Sequence, residues 1–261
     1  MSIQTKNGKI SYIGTVNPSS KLIKGVKYNV DTFGVYLSPS NSSGYQVCPK
    51  ATKGCIKSCL AGSGHAKISA TIPKARIVKT KFLFEEPERY ANILVKEIEN
   101  AKKLSEKKGH KFVCRLNCTS DLNLEDIGGI NFLSKFSTVQ FYEYTKREEL
   151  LPLAKKYPNL NYTYSYAGDI GNNWDRLKKI LDNGQNCAIV FYPNIPKSFR
   201  GYECIDGDIS DLRYKDETSN IGKIVALKYK HVKGETKEDI LNNSFIIKTT
   251  LNKLTNEYEV I

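Results

Sequence analysis

The stretch STVQFYEYTKREELLPLAKKYPNLNYTYSY, residues 137–166, decides the fold. A strand candidate at 137–144 leads into a helical segment at 147–157, and the chain returns to a strand candidate at 160–166. Several of the chain's strand candidates are apolar or aromatic on both faces, as parallel strands covered by helices are. The same rhythm continues outward. Strand candidates stand at 32–37, 111–117, 187–192, 202–205 and 223–229. Helical segments are expected at 73–84, 87–108, 123–135 and 172–183, with Pro73 and Pro87 each in a first turn and Gly109 past the end of the second. Repeated strand–helix alternation predicts an α/β fold of mostly parallel strands: a full or partial (β/α) barrel in one domain, residues 1–261. Residues 1–31 read as a polar N-terminal extension or hairpin.

Composition narrows the class. A 261-residue chain with 40% hydrophobic residues buries a sizeable core unaided. It contains no apolar run of the ~18 residues that a membrane-spanning helix needs. The opening MSIQTKNGKI lacks the apolar centre of a signal peptide, and seven Cys is an odd number, so a reducing, cytoplasmic setting and no membrane partner are expected. The 40 Lys and Arg against 27 Asp and Glu give a net charge of +13. A polyanion partner, nucleic acid or nucleotide, is one reading of that excess; Lys-rich codon usage is the other. A protein partner is not indicated either way.

In parallel α/β folds, chemistry gathers at the C-terminal ends of the strands. Here those ends are polar: Asn117-Cys118-Thr119-Ser120-Asp121, Thr145-Lys146-Arg147, Ala167-Gly168-Asp169, Pro193-Asn194 and Asp206-Gly207-Asp208. Asp121, Lys146, Asp208 and Arg213 are the candidate catalytic residues. Asp121 offers a general base or nucleophile, and equally a helix cap. Arg115, Asn117, Ser120, Tyr142 and Tyr144 are candidate substrate contacts, with Tyr142, Tyr144 and Lys146 on one strand face and Glu143 on the other. Arg76 and Lys79, on the helix at 73–84, would form a phosphate-binding surface. The carboxylates of CIDGDISDLRYKD, 204–216, offer mutually raised pKa values or oxygen ligands.

Cys48, Cys55 and Cys59 lie in a Gly- and Lys-rich loop after the first barrel strand, spaced C-x6-C-x3-C. Three thiolates without a nearby fourth suit a [4Fe–4S] cluster with one open iron, or zinc completed by His65 or water. Cys114 and Cys118, if both in the strand, share a face. Cys187 and Cys204 read as core. Walker-A, GxGxxG and GxSxG sequences are absent, which removes the usual markers of ATPases, dinucleotide-binding dehydrogenases and α/β-hydrolases.

The ordered series CPKATKGCIKSCLAG (48–62), ARIVKTKFLF (75–84), RLNCTSDL (115–122), FYEYTKR (141–147) and DGDISDLRYKD (206–216) resembles the phage family called gene product eighty-eight. That family implies no settled activity. More distantly, the triplet with Ser120-Asp121 and Thr145-Lys146-Arg147 resembles the phage three-cysteine-motif proteins, which look related to radical-SAM enzymes. This likeness implies a cluster on Cys48, Cys55 and Cys59, with S-adenosylmethionine as a second cofactor. The spacing departs from the usual C-x3-C-x2-C. The first expectation is therefore an iron–sulfur enzyme modifying nucleic acid or a nucleotide. Two others stand beside it: a zinc-containing base-exchange barrel resembling DNA-guanine transglycosylases, with Asp121 or Asp208 as nucleophile, and a non-catalytic binding module with structural zinc.

Overall fold

The computed structural model describes residues 2–62, 69–168, 173–217, 219–232, 234–253, 255 and 257–261. His65 and Asp169 lie outside the described residues. The chain opens with a hairpin, β1 (Ile3–Thr5) and β2 (Gly8–Ile10), then β3 (Gly14–Val16) and a 3-10 helix (Leu22–Tyr28). Of the N-terminal 31 residues, Ile3–Ile10 form the β1–β2 hairpin, while β3 and the start of β4 belong to the large sheet. β4 (Val30–Val35) begins the parallel sheet. There follow α1 (Lys53–Lys57), α2 (Thr71–Glu85), α3 (Pro87–Lys107), β5 (Lys111–Arg115), α4 (Phe132–Lys135), β6 (Gln140–Thr145), α5 (Leu153–Lys156) and β7 (Leu160–Ser165). The rest is α6 (Asn173–Asp182), β8 (Cys187–Tyr192), β9 (Ser198–Phe199), β10 (Tyr202–Asp206), β11 (Ile224–Lys228), α7 (Lys237–Leu241), β12 (Ile246–Asn252) and β13 (Glu257–Val260).

One large, mostly parallel sheet results, in the order β3-β4-β5-β6-β7-β8-β11-β10-β9. The strands from β4 to β10 are mutually parallel, whereas the outermost, β3 and β9, run antiparallel to their neighbours. The full barrel is thereby corrected: each end of the sheet carries a reversed strand and the two ends do not pair, so there is no closed barrel. β8 has a divided edge. β11 pairs with it over Cys187–Phe191, so β7 and β12 share its opposite side, β7 at Cys187–Ala188 and β12 at Val190–Tyr192.

The register sorts the side chains into two layers. Phe33, Cys114, Phe141 and Tyr162 join Phe82, Tyr90, Leu94 and Ile98 of α2 and α3 in the main core. Farther along, Leu177 and Leu181 of α6 cover Cys187, Ile189 and Phe191. On the other face, Val30, Val113 and Tyr142 pack beneath Leu22 and Leu212. That face is covered by the N-terminal 3-10 helix and by residues 207–216, which include a 3-10 turn at Arg213–Lys215, rather than by α-helices. Cys114 and Cys118 consequently do not share a face, because β5 ends at Arg115 and Cys118 joins the opposite cluster.

Two expected helices are cut short. Over 123–135 only Phe132–Lys135 is helical. Asn123 and Asp126 accept from the Glu125 and Gly129 amides, and Gly128 and Gly129 both take positive φ, so turn geometry wins there. In 147–157, Pro152 separates a 3-10 turn at Glu148–Leu150 from α5.

Gly168 tests how tightly the divided edge of β8 is closed. Its φ is +71°, and a Cβ there would lie 2.1 Å from Cα of Phe245, just before β12. Gly109 has nearly the same φ, +72°, and open space around it. Gly109→Ala is expected to cost roughly 1 kcal/mol for the left-handed backbone alone. Gly168→Ala is expected to cost roughly 3 kcal/mol or more, since backbone must also move. Urea denaturation of both variants checks the difference, and equal costs would refute it.

Candidate functional site

The segment carrying the three cysteines lies across the C-terminal edge of the parallel strands. Its entry is tied to the turn after β5: the Asp121 amide donates to Val47 O at 2.8 Å, and Cys48 Sγ lies 3.6 Å from Thr119 O. Thr52 caps α1 by accepting from the Cys55 amide, and its hydroxyl donates to Ala167 O after β7. Asn243 donates to Gly54 O and to the Ser58 hydroxyl, and Lys57 pairs with Asp239 at 2.6 Å. The Cys triplet is thus held by turns after β5 and β7 and by the approach to β12. Cys55 sits in helix α1, between Cys48 and Cys59 in irregular chain.

The three thiols are partly buried and electrically coupled. Burial pushes Cys48 up to about 11, with the Cys59 and Cys55 thiolates adding to the rise and Lys146 opposing it. Cys59 is raised for the same first reason, and Lys146 and Arg76 pull it back. Arg76 reaches the segment directly, donating to Ala61 O at 3.0 Å, and lies over the Tyr36 ring. Among the described residues, no three His, Cys, Asp or Glu side chains converge closely enough to hold a metal ion. The donor chemistry therefore suits a sulfur-ligated metal, while the arrangement of the donors does not yet form its site.

The expected catalytic residues separate into three places. Asp121 uses both carboxylate oxygens, accepting from Thr145 Oγ1 at 2.7 Å and from the Lys146 amide at 2.9 Å. It joins the ends of β5 and β6. Lys146 donates to Ser165 Oγ at 2.8 Å, within electrostatic reach of Cys48 and Cys59. Asp208 stands at the end of β10, bound to the Lys228 amide and to Lys230. Arg213 is buried on the sheet face opposite the helices, 3.1 Å from Asp216.

The substrate contacts divide as well. Asn117 and Ser120 are turn residues: Asn117 Oδ1 accepts from the Ser120 hydroxyl and the Leu122 amide. Tyr142 is wholly buried, donating to Thr32 Oγ1 at 3.3 Å. Arg115 pairs with Asp211 at 2.5 Å, and its guanidinium lies over the Tyr144 ring. Lys79 is not on a solvent-facing phosphate surface. It is buried over Tyr12, and burial lowers its amine to about 8 with Glu97 opposing the drop. A surface groove of ≈ 540 Å³ between β9 and β12–β13, lined by Lys197, Arg200, Lys248 and Tyr258 among others, contains none of these residues.

Sequence reasoning passed over Lys21, which forms a salt bridge with Asp211 at 2.9 Å, and Glu143. Nothing in the polar segment around Lys21 marks it. Glu143 is fully buried on the helix side and accepts from the Leu116 and Asn117 amides at 2.6 and 3.0 Å. Burial raises its carboxyl to about 8, against the pull of Arg115 and the two amides. The folded protein therefore keeps this proton between the ordinary carboxyl range and about pH 8, where the unfolded chain has lost it. Stability from this group is full at acid pH and falls as pH rises through that window. The urea midpoint is expected to fall between pH 5 and 8, and Glu143→Gln to remove most of that slope. Parallel slopes for both proteins would refute the assignment.

No helix of the described residues is long and apolar enough to cross a membrane. No curated protein and no solved structure matches the chain. One family does, and it spans the Cys triplet, the parallel strands from β4 to β11 and the 207–216 segment: the model of Gene product 88 matches residues 8–243. By that match, which takes in nearly all of the sheet and every residue considered above for a site, the chain belongs to the Gene product 88 family.

Proposed function

We propose that this protein is an enzyme with a sulfur-ligated metal centre on Cys48, Cys55 and Cys59, acting on a nucleotide or a nucleic acid. The observation that carries the reading is the anchoring of the Cys segment across the C-terminal edge of the parallel strands, through Val47 O and Cys48 Sγ to the turn after β5 and through Thr52 to the turn after β7, with Arg76 bonded to Ala61 O and Lys146 at the same edge. Two cations there offset the charge of a thiolate cluster. The sheet supports the same reading. β4, β5, β6, β7, β8 and β11 follow one another in chain order, all parallel, and the Cys segment follows the first of them. In a parallel row of this kind, chemistry gathers at the C-terminal ends of the strands.

An iron–sulfur cluster bound there would supply one-electron chemistry at an iron without a Cys ligand. Binding would displace thiol protons, since Cys48 and Cys59 both hold theirs above the usual thiol range. Lys146, fixed by Ser165, holds a positive charge at the rim. Exposed Lys50 and Lys53 extend that charge outward, where a phosphate backbone or a nucleotide would approach. Tyr142 is too deeply buried to stack on a polynucleotide, so the rim lysines carry the nucleic-acid part of the reading. Both oxygens of Asp121 accept hydrogen bonds that hold the turn after β5 to the end of β6, so this carboxylate has a positioning role in the reading.

The test is metal and sulfide analysis with a visible spectrum, on protein purified or reconstituted without oxygen. Iron with labile sulfide is expected in the native protein, with loss of both in the Cys48→Ala/Cys55→Ala/Cys59→Ala variant and retention in Cys118→Ala. Zinc at one per chain, or metal content unchanged by the triple substitution, would overturn the iron–sulfur centre.

A further inference from the structure

The sheet face away from the helices holds a concentrated set of buried polar groups. Gly34, Arg115, Tyr142 and Asn161 stand side by side in register across β4, β5, β6 and β7, and Tyr144 lies on the same face two residues beyond Tyr142. Residues 207–216 close over them. From that segment Asp211 pairs with Arg115 at 2.5 Å and with Lys21 at 2.9 Å, and the Tyr214 ring meets the Tyr142 ring at 5.8 Å. Both Arg115 and Lys21 lie over the Tyr144 ring, at 4.7 and 5.2 Å.

This cluster is incompletely satisfied. Arg115 Nε, Arg213 Nε, Tyr144 OH, Tyr214 OH and Asn161 Oδ1 are buried and have no hydrogen-bond partner among the described residues. Arg213 Nη1 faces Asp216 only as an ion pair, without hydrogen-bond geometry. The Arg213 side chain is 3% exposed, so bulk water does not serve these donors. Buried polar groups ordinarily find partners, and a gathering of orphans marks a place where a partner belongs. Ordered water satisfies hydrogen bonds but not charge. Three cations, Lys21, Arg115 and Arg213, face two carboxylates, Asp211 and Asp216, leaving one positive charge.

From this geometry we infer that the face beneath residues 207–216 is a binding site for a small oxyanion, a phosphate or carboxylate group, received by Arg115, Arg213, Tyr144 and Tyr214. Asn161 Oδ1 adds one acceptor, for a hydroxyl or amine carried by the same ligand. Lys21, the most exposed of the three cations at 23%, stands at the mouth. The inference does not rest on a metal at the cysteines.

The experiment is calorimetric titration and thermal unfolding with inorganic phosphate and, separately, acetate, against sodium chloride at matched ionic strength. A saturable stabilisation by one of the two anions is expected. Phosphate alone identifies a phosphoryl ligand and acetate alone a carboxylate, each supporting the site. Arg213→Gln should weaken binding by ~10-fold or more, as loss of a charge-assisted contact does. Tyr144→Phe and Tyr214→Phe, which remove one oxygen each, keep the test informative if Arg213→Gln does not fold, and should each weaken binding several-fold. The triple Cys→Ala variant should bind as the native protein does, which separates this site from the metal proposal. No response beyond chloride, or equal binding by all variants, would overturn the site and leave ordered water as the occupant.

Discussion

The carboxylate of Asp211 is the point on which one side of this molecule is assembled. It lies on the 207–216 segment, yet its partners are Arg115 at the end of β5 and Lys21 beside the N-terminal 3-10 helix. The two cations hold its proton affinity below the ordinary carboxyl range, although burial acts in the opposite direction. A buried ion triad of this kind adds little net stability, because desolvation consumes much of the attraction. Removing one member is costly, since a charge is then left buried and unpaired. The triad therefore acts chiefly on arrangement: it determines which irregular segment covers the open sheet face, and in what position.

A second carboxylate system organises the C-terminal rim. Glu143 holds the chain as it leaves β5, through the Leu116 and Asn117 amides, and Asp121 ties the following turn to the end of β6. These two acids face the helix side and the rim, whereas Asp211 faces the other side. Much of the polar chemistry that looks catalytic in the sequence is thus devoted to fixing turns. That work positions the Cys segment, whose entry hydrogen-bonds to the very turn that Asp121 closes.

The strands were legible because each is short, rich in apolar or aromatic residues and bounded by turn residues, and all six candidates from residue 111 onward and the one at 32–37 correspond to observed strands. The alternation of Tyr142 and Tyr144 against Glu143 was legible for the same reason, since a period of two allows one assignment. Helix 123–135 was misread because its apolar spacing conceals two glycines whose backbone only a turn accommodates. Closure of the sheet was beyond local reading, because it depends on β3 and β9 reversing direction at the edges. Lys21 and the carboxylate it meets lie at opposite ends of the chain, and no local pattern connects them. The Cys triplet was conspicuous by spacing alone, while its neighbours Lys146 and Arg76 come from separate elements.

The shared edge of β8 also decides what bounds the rim. β7 occupies the first part of that edge and then departs; β12 occupies the last part, arriving from beyond residue 243, where the family match ends. The strand that seals the upper part of the seam therefore comes from far along the chain, some fifty residues after β8 itself. Asn243 and Phe245, on the approach to that strand, abut Gly54 and Gly168 near the cysteines. The rim beside the thiols is thus bounded by two segments far apart in the chain, the turn after β7 and the approach to β12, which the divided edge of β8 brings together.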